Sequence, residues 1–292
     1  MEGIMPYVKA FEAYLRSLNK SPYTVKQYTL DAKQFAEIVA MQTTIEDALQ
    51  LYEETITKQY QSVNSINRKY ASIRHFLIFL QLRDVIKKYA PKFLQPLNKE
   101  PALIKTLAPQ QAKKALAVWV QMYNHAKNEE DTWLALRNAT IVAVIAELGI
   151  KSAEVVRMEW KHFHEETQQW TVIAAKKSRK LSLSKALMKQ LLFYKEETLK
   201  WLPIASEVSV VWLGLGNKKG ESITVKTIER IFFTMSQQVG FKVTTTNLRY
   251  RAIQNELADL HEPTELYEQF GYARKGVFTE RQQRISQQIK GE

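Results

Sequence analysis

From Val8 to Leu80, apolar residues recur every three or four positions, and this period commits the first third of the chain to amphipathic helices. Val8, Phe11, Tyr14, Leu15 and Leu18 form the first stripe. Ser21 then suits an N-cap and Pro22 the first position of a second helix. The core face expected of that helix is Tyr23, Val25, Tyr28, Leu30, Phe35 and Ile38. A third helix is predicted from Thr44 to about Gln59. A fourth is predicted from Val63 to Leu82, with Ile66, Tyr70, Ile73, Phe76, Leu77 and Leu80 on one side. Its other side carries Asn67, Arg68, Lys69 and Arg74, which reads either as a solvated cationic face or as a surface for DNA.

Pro91, Pro96 and Pro101, with Asn98-Lys99-Glu100 between them, break the period and predict an interdomain linker. The expected division is a helical domain over 1–95, a linker over 96–106 and a second domain over 107–292. In the second domain, Pro109 opens a helix running through Trp119. Further helices are predicted near Asp131–Leu148, Ser152–Trp160, Lys185–Trp201, Thr224–Gln238, Leu248–Leu260 and Thr264–Phe270. Trp170 to Ala175 and Lys180 to Leu183 alternate like two strands around a basic turn, Lys176-Lys177-Ser178-Arg179. The tail from Arg274 is polar and basic, and three fates stay open for it: DNA contact, contact with a neighbouring copy, or fraying.

Composition narrows the function. The 292 residues carry a formal charge of +12, from 42 Lys+Arg against 30 Asp+Glu, which favours a polyanionic partner such as nucleic acid. With no Cys, thiol nucleophiles and disulfides are excluded, as are cysteine-built zinc sites. His162-x-His164 with Glu165 lacks an evident third metal ligand, and no cofactor is expected. Gly214 to Gly220 lacks the Gly-Lys-Ser/Thr ending of a phosphate-binding loop. The N-terminus shows no basic-then-apolar signal pattern, and Ala139–Ile150 is too short to span a bilayer, so a cytoplasmic, nucleoid-associated protein is expected.

A series of motifs in order along the chain resembles the tyrosine recombinases, or phage integrases. Phe11-x-x-Tyr14-Leu15 … Lys20-Ser21-Pro22-Tyr23-Thr24-Val25 resembles the opening of the family's helical core-binding domain, and Ser65 to Leu80 its last long helix. Leu148-Gly149-Ile150-Lys151-Ser152-Ala153-Glu154-Val155 resembles box I, usually Gly-Leu-Arg-x-x-Glu-Leu. The basic hairpin lies where the family carries its catalytic Lys. Thr246-Asn247-Leu248-Arg249 resembles the box II His-x-x-Arg, Gly271-Tyr272 the Gly-His pair, and Gly276-Val277-Phe278 the segment ending in the nucleophilic Tyr. The resemblance implies a mainly α fold with a small β-hairpin or sheet, the tyrosine recombinase (DNA breaking-rejoining) fold with an N-terminal SAM-like domain.

The departures fall on the chemistry. In the family, a Tyr attacks a DNA phosphodiester while two Arg residues hold the phosphate and His and Lys move protons, with no metal required. Here Lys151 keeps the charge of the box I Arg without its bidentate fork. Thr246 and Tyr272 replace the two His, and Phe278 has no hydroxyl. Arg249 alone is an unaltered match, and the sequence does not choose between Lys176 and Lys177 as the hairpin acid. The expectation is a protein that binds specific double-stranded DNA without cutting it, such as a repressor in a phage or mobile element. The alternative is an active or accessory recombinase with a non-standard site. The DNA-binding residues expected are Lys151, Lys176, Lys177, Arg179, Arg249, Arg251 and Tyr272, with Arg68 and Lys69 from the first domain. Self-association on DNA through the C-terminal tail is a further expectation.

Overall fold

A computed structural model describes residues 3–87, 92–98, 104, 106–174, 178–259 and 266–289. The chain divides into two compact units, Met1–Ala102 and Leu103–Glu292. Of the expected linker, residues 99–103 and 105 lie outside the described residues, as does Pro91.

The first unit is built on helices α1 (Tyr7–Ser17), α2 (Pro22–Val39), α3 (Ile45–Gln59) and α4 (Val63–Leu82). Local chemistry sets the helix starts. Ser21 Oγ accepts from the Thr24 N–H at 3.1 Å with Pro22 just inside α2, and Thr44 Oγ1 accepts from the Asp47 N–H at 3.1 Å at the head of α3. Phe11, Leu15, Phe35, Tyr52, Ile73 and Phe76 are fully buried, with the Phe11 and Phe76 rings 4.9 Å apart. The buried stripe of α2 is rotated from the expected one. Tyr23 is 72% and Leu30 52% exposed, whereas Asp31 is buried.

The expected open face of α4 is also corrected, because its polar side chains are engaged within the unit. Lys69 is only 5% exposed; its Nζ donates to Asp31 at 2.8 Å and to Gln34 at 3.1 Å, under the Tyr60 ring. Arg68 donates to the same carboxylate at 2.6 Å. Asn67 exchanges two hydrogen bonds with the Leu97 backbone, and Arg74 donates to the Leu94 carbonyl.

In the second unit, α5 (Pro109–Asn124) and α6 (Glu129–Leu148) pack together, and α6 is apolar almost all round, as a central buried helix must be. The expected helix from Ser152 to Trp160 is only one turn, α7 (Ser152–Val155). The hairpin is part of a three-stranded antiparallel sheet, β1 (Phe163–His164), β2 (Gln169–Val172) and β3 (Arg179–Ser182), with Trp170 opposite Leu181. Then follow α8 (Lys185–Trp201), α9 (Val225–Val239), α10 (Thr245–Asp259), α11 (Leu266–Gln269) and α12 (Lys275–Ile289). Helix α10 contributes Leu248 to the main core and Tyr250, Ala252 and Ile253 to a smaller one. That smaller core is completed by Ile104, Leu266, Phe270, Phe278 and Ile285. The C-terminal tail is therefore helical over 275–289, anchored by two apolar residues seven positions apart.

Candidate functional site

The site forms where the smaller core meets the end of α6. Gly149 terminates α6 in the left-handed region (φ 56°), and a Cβ there would come within 2.5 Å of the Phe270 ring. That tight turn delivers Lys151, whose backbone N–H donates to Glu154 at 2.8 Å. Glu154 in turn receives both ends of the Arg179 fork, at 2.7 and 3.0 Å, from strand β3. This ion pair is buried on both sides. Burial works to raise the Glu154 acid, but the hydrogen bonds from Arg179 and the Lys151 backbone outweigh it and hold the acid below its ordinary value.

Three cations from three segments converge on three successive carbonyls. Arg179 Nε donates to the Gln269 carbonyl at 2.7 Å, Arg249 to that of Phe270, and Lys151 Nζ to that of Gly271 at 2.9 Å. These oxygens close α11, and cations are favoured at such an end. Arg249, buried on α10, also donates to the Gly149 carbonyl, so it ties the end of α6 to the turn after α11. Gly271 has φ 64°, and a Cβ there would lie 2.8 Å from the Arg179 guanidinium.

Aromatic rings line the other side. Arg249 stands 5.2 Å from the Tyr272 ring centre and Arg281, from α12, 5.6 Å from the same ring. Phe278 is 3% exposed; its ring packs edge-on against Tyr272 at 5.2 Å and parallel to Phe270 at 6.4 Å. Arg281 also donates to the Tyr250 hydroxyl. Partial desolvation and the charges of Arg249, Arg179 and Arg281 hold the Lys151 ammonium below its ordinary value, outweighing the pull of Glu154.

The structure thus brings together Lys151, Arg179, Arg249, Tyr272 and Phe278. Thr246 is exposed one turn before Arg249 on α10. Arg251 does not join them. Two residues along a helix lie about 200° apart, and Arg251 instead lines a surface depression with Lys113, Leu116, Leu248 and Asn255. Lys176 and Lys177 lie outside the described residues, and Arg68 and Lys69 belong to the first unit with Asp31. Two contributors were not singled out in the sequence as functional. Glu154 was visible only as the box I acid, and Arg281 only as part of the polar, basic tail. Among the described residues there is no cluster that could hold a metal ion and no helix long and apolar enough to cross a membrane.

Solved structures share this architecture. The chain superposes on the XerH site-specific recombinase bound to palindromic difH substrate in a post-cleavage complex with a TM-score of 0.71, over 94% of this chain and 80% of that one, at 15% identity. The chain has the tyrosine recombinase fold. A lambda integrase dimer bound to a COC′ core site gives a TM-score of 0.63, with 92% of this chain and 94% of that one covered at 12% identity. In sequence, the chain is 27% identical over 175 residues to "Tyrosine recombinase XerD-like" of Streptococcus mutans, covering 60% of this chain and 64% of that protein. It is 25% identical over 164 residues to "Tyrosine recombinase" of Agathobacter rectalis, covering 54% and 53%. The chain therefore spans less than two thirds of either relative's length. No protein-family model matches it.

Proposed function

We propose that this chain is a catalytically degenerate member of the tyrosine recombinase family that binds specific double-stranded DNA without cutting it. The observation that carries this reading is the buried phenyl ring of Phe278 beside a cationic cluster that, among the described residues, contains no histidine. Lys151, Arg249 and Arg281 can attract and hold a phosphate, but no hydroxyl at position 278 can attack it. Thr246, in the place of the general base, cannot exchange protons near neutral pH. The first unit is proposed as the core-binding domain and the second as the degenerate catalytic domain, both engaging DNA, to which XerH and lambda integrase are bound in their structures. Regulation of transcription in a phage or other mobile element, from the cytoplasm and with self-association on DNA, is the use this reading favours.

One observation favours an active or accessory recombinase instead. Tyr272 holds its ring against Arg249, the residue that would grip the phosphate. The two readings separate in one pair of experiments. Site selection from a random duplex pool should recover a sequence bound in a salt-sensitive manner. A nicked suicide substrate carrying that sequence should yield no covalent adduct on a denaturing gel. An adduct that disappears in Tyr272→Phe would replace the binding reading with the catalytic one.

A further inference from the structure

Helix α5 turns apolar side chains to water between two basic grooves of the second unit. On one side, α5 and the end of α9 border an open groove of about 980 Å³, with Ala117, Val118 and Val239 on its walls and Lys113 and Lys114 at its rim. On the other side lies the depression, about 320 Å³, where Lys113 meets Leu116 and Arg251. Leu116, Val120 and Met122 are all exposed on α5, Val120 by 49%. Leu116 and Val120, four residues apart, share one face of the helix. Among the described residues, no carboxylate lines either groove. One exposed apolar side chain is ordinary, but three on one helix beside cations make a patch. This face looks away from the cluster around Tyr272. Arg249 points to that ring from α10, whereas Arg251, about 200° further round the helix, lines the depression beside α5. A phosphodiester held at Arg249 would leave Lys113, Lys114 and Arg251 without a counter-charge.

The larger groove follows α5 from Gln110 to His125, about 22 Å at the helical rise. A second helix of about 15 residues laid along α5 matches that length. We propose that this groove docks a protein partner through an acidic amphipathic helix. Apolar side chains of that helix pack on Ala117 and Val118, with the ridge of Leu116 and Val120 along its edge. Its carboxylates meet Lys113 and Lys114, and Arg251 extends the basic rim. DNA and the partner then take opposite faces of α10, so both can be held at once. The place of DNA rests on the function proposed above, whereas the docking surface rests on α5, α9 and α10 alone.

Two labelled synthetic peptides test the surface on the full chain by fluorescence anisotropy. Both carry the same glutamates at helical spacing, and one has leucine on its other face where the second has serine. The leucine peptide should bind about tenfold tighter, because charge alone would hold the two equally. Lys113→Glu should weaken the leucine peptide by about tenfold, as should the pair Leu116→Ser and Val120→Ser. Lys189→Glu, the same change of charge at an exposed position of α8, should leave it as in the wild type. Equal binding of the two peptides would overturn the inference, as would an effect of Lys189→Glu as large as that of Lys113→Glu. Displacement of the peptide by duplex DNA would give the surface to DNA. A wild-type dimer that Leu116→Ser dissociates would give it to a second copy, and either outcome overturns the inference too. Peptide binding with no affinity for any duplex would instead overturn the DNA reading and leave the docking surface standing. A photo-reactive leucine peptide on the unsubstituted protein makes the test independent of how the variants fold. Labelling of α5 or of Gln238 supports the surface, and labelling elsewhere alone contradicts it.

Discussion

Two groups of cations in this chain meet very different company. On α4, Arg68 and Lys69 share the buried carboxylate of Asp31, and Lys69 is almost removed from water. Around Tyr272, Arg179 takes both oxygens of Glu154, and among the described residues Arg249 and Arg281 form no ion pair with a carboxylate. Both groups look alike in sequence, as basic residues on a helix or beside a turn. The first group has its counter-ion inside the fold; the second, on the function proposed above, takes one from DNA. Buried pairing makes a cation part of the scaffold, and excess charge makes it a receptor for an anion.

The largest expected effect breaks the first group. Asp31→Asn leaves Lys69 buried without its partner and should cost roughly 3–5 kcal/mol in urea unfolding, with little change in the affinity of the second unit for phosphate. Glu154→Gln should cost less, about 3 kcal/mol, because Arg179 keeps the Gln269 carbonyl. That variant also has a pH signature. The Glu154 acid is lowered in the folded state, so its contribution is complete above the ordinary carboxylate range and is lost as pH falls through the folded value. Wild type should therefore lose more stability on acidification than Glu154→Gln; parallel acid profiles for the two proteins would contradict this.

A smaller effect sharpens the second group. Because the Lys151 ammonium is lowered, its charge is lost at a lower pH than that of an ordinary lysine. Affinity for duplex DNA, measured by fluorescence anisotropy, should fall as pH rises from neutral into that window. Lys151→Arg should flatten the profile, since a guanidinium stays charged throughout. The same shift penalises the charged lysine in the folded state, so that penalty should fade over the same rise in pH.

Much of the helical fold was legible, because α3 and α4 carry strong apolar periods and α2 and α3 open on side-chain caps. Helix α12 was not, since its only described buried apolar residues are Phe278 and Ile285, too sparse for a stripe. Strand β1 has two residues, too few for alternation to register. Within the site, Lys151, Arg249, Tyr272 and Phe278 were found through motif spacing. Their company was not. Arg179 meets Glu154 from 25 residues away and Lys69 meets Asp31 from 38, and no local pattern encodes such pairings. Buried rather than solvated arginine and lysine followed from those partners.

We propose that this site holds a phosphate without being able to cut beside it, and that the loss goes beyond one hydroxyl. Phe278→Tyr on a nicked suicide substrate tests it most directly. The new phenol would replace a ring that is packed against Phe270 and Tyr272, in a site where the family resemblance sets Thr246 and Tyr272 at the two histidine positions. The variant should bind the duplex as the wild type does and form no covalent protein–DNA adduct. An adduct formed by Phe278→Tyr alone would show that only the nucleophile was missing, and would contradict the account.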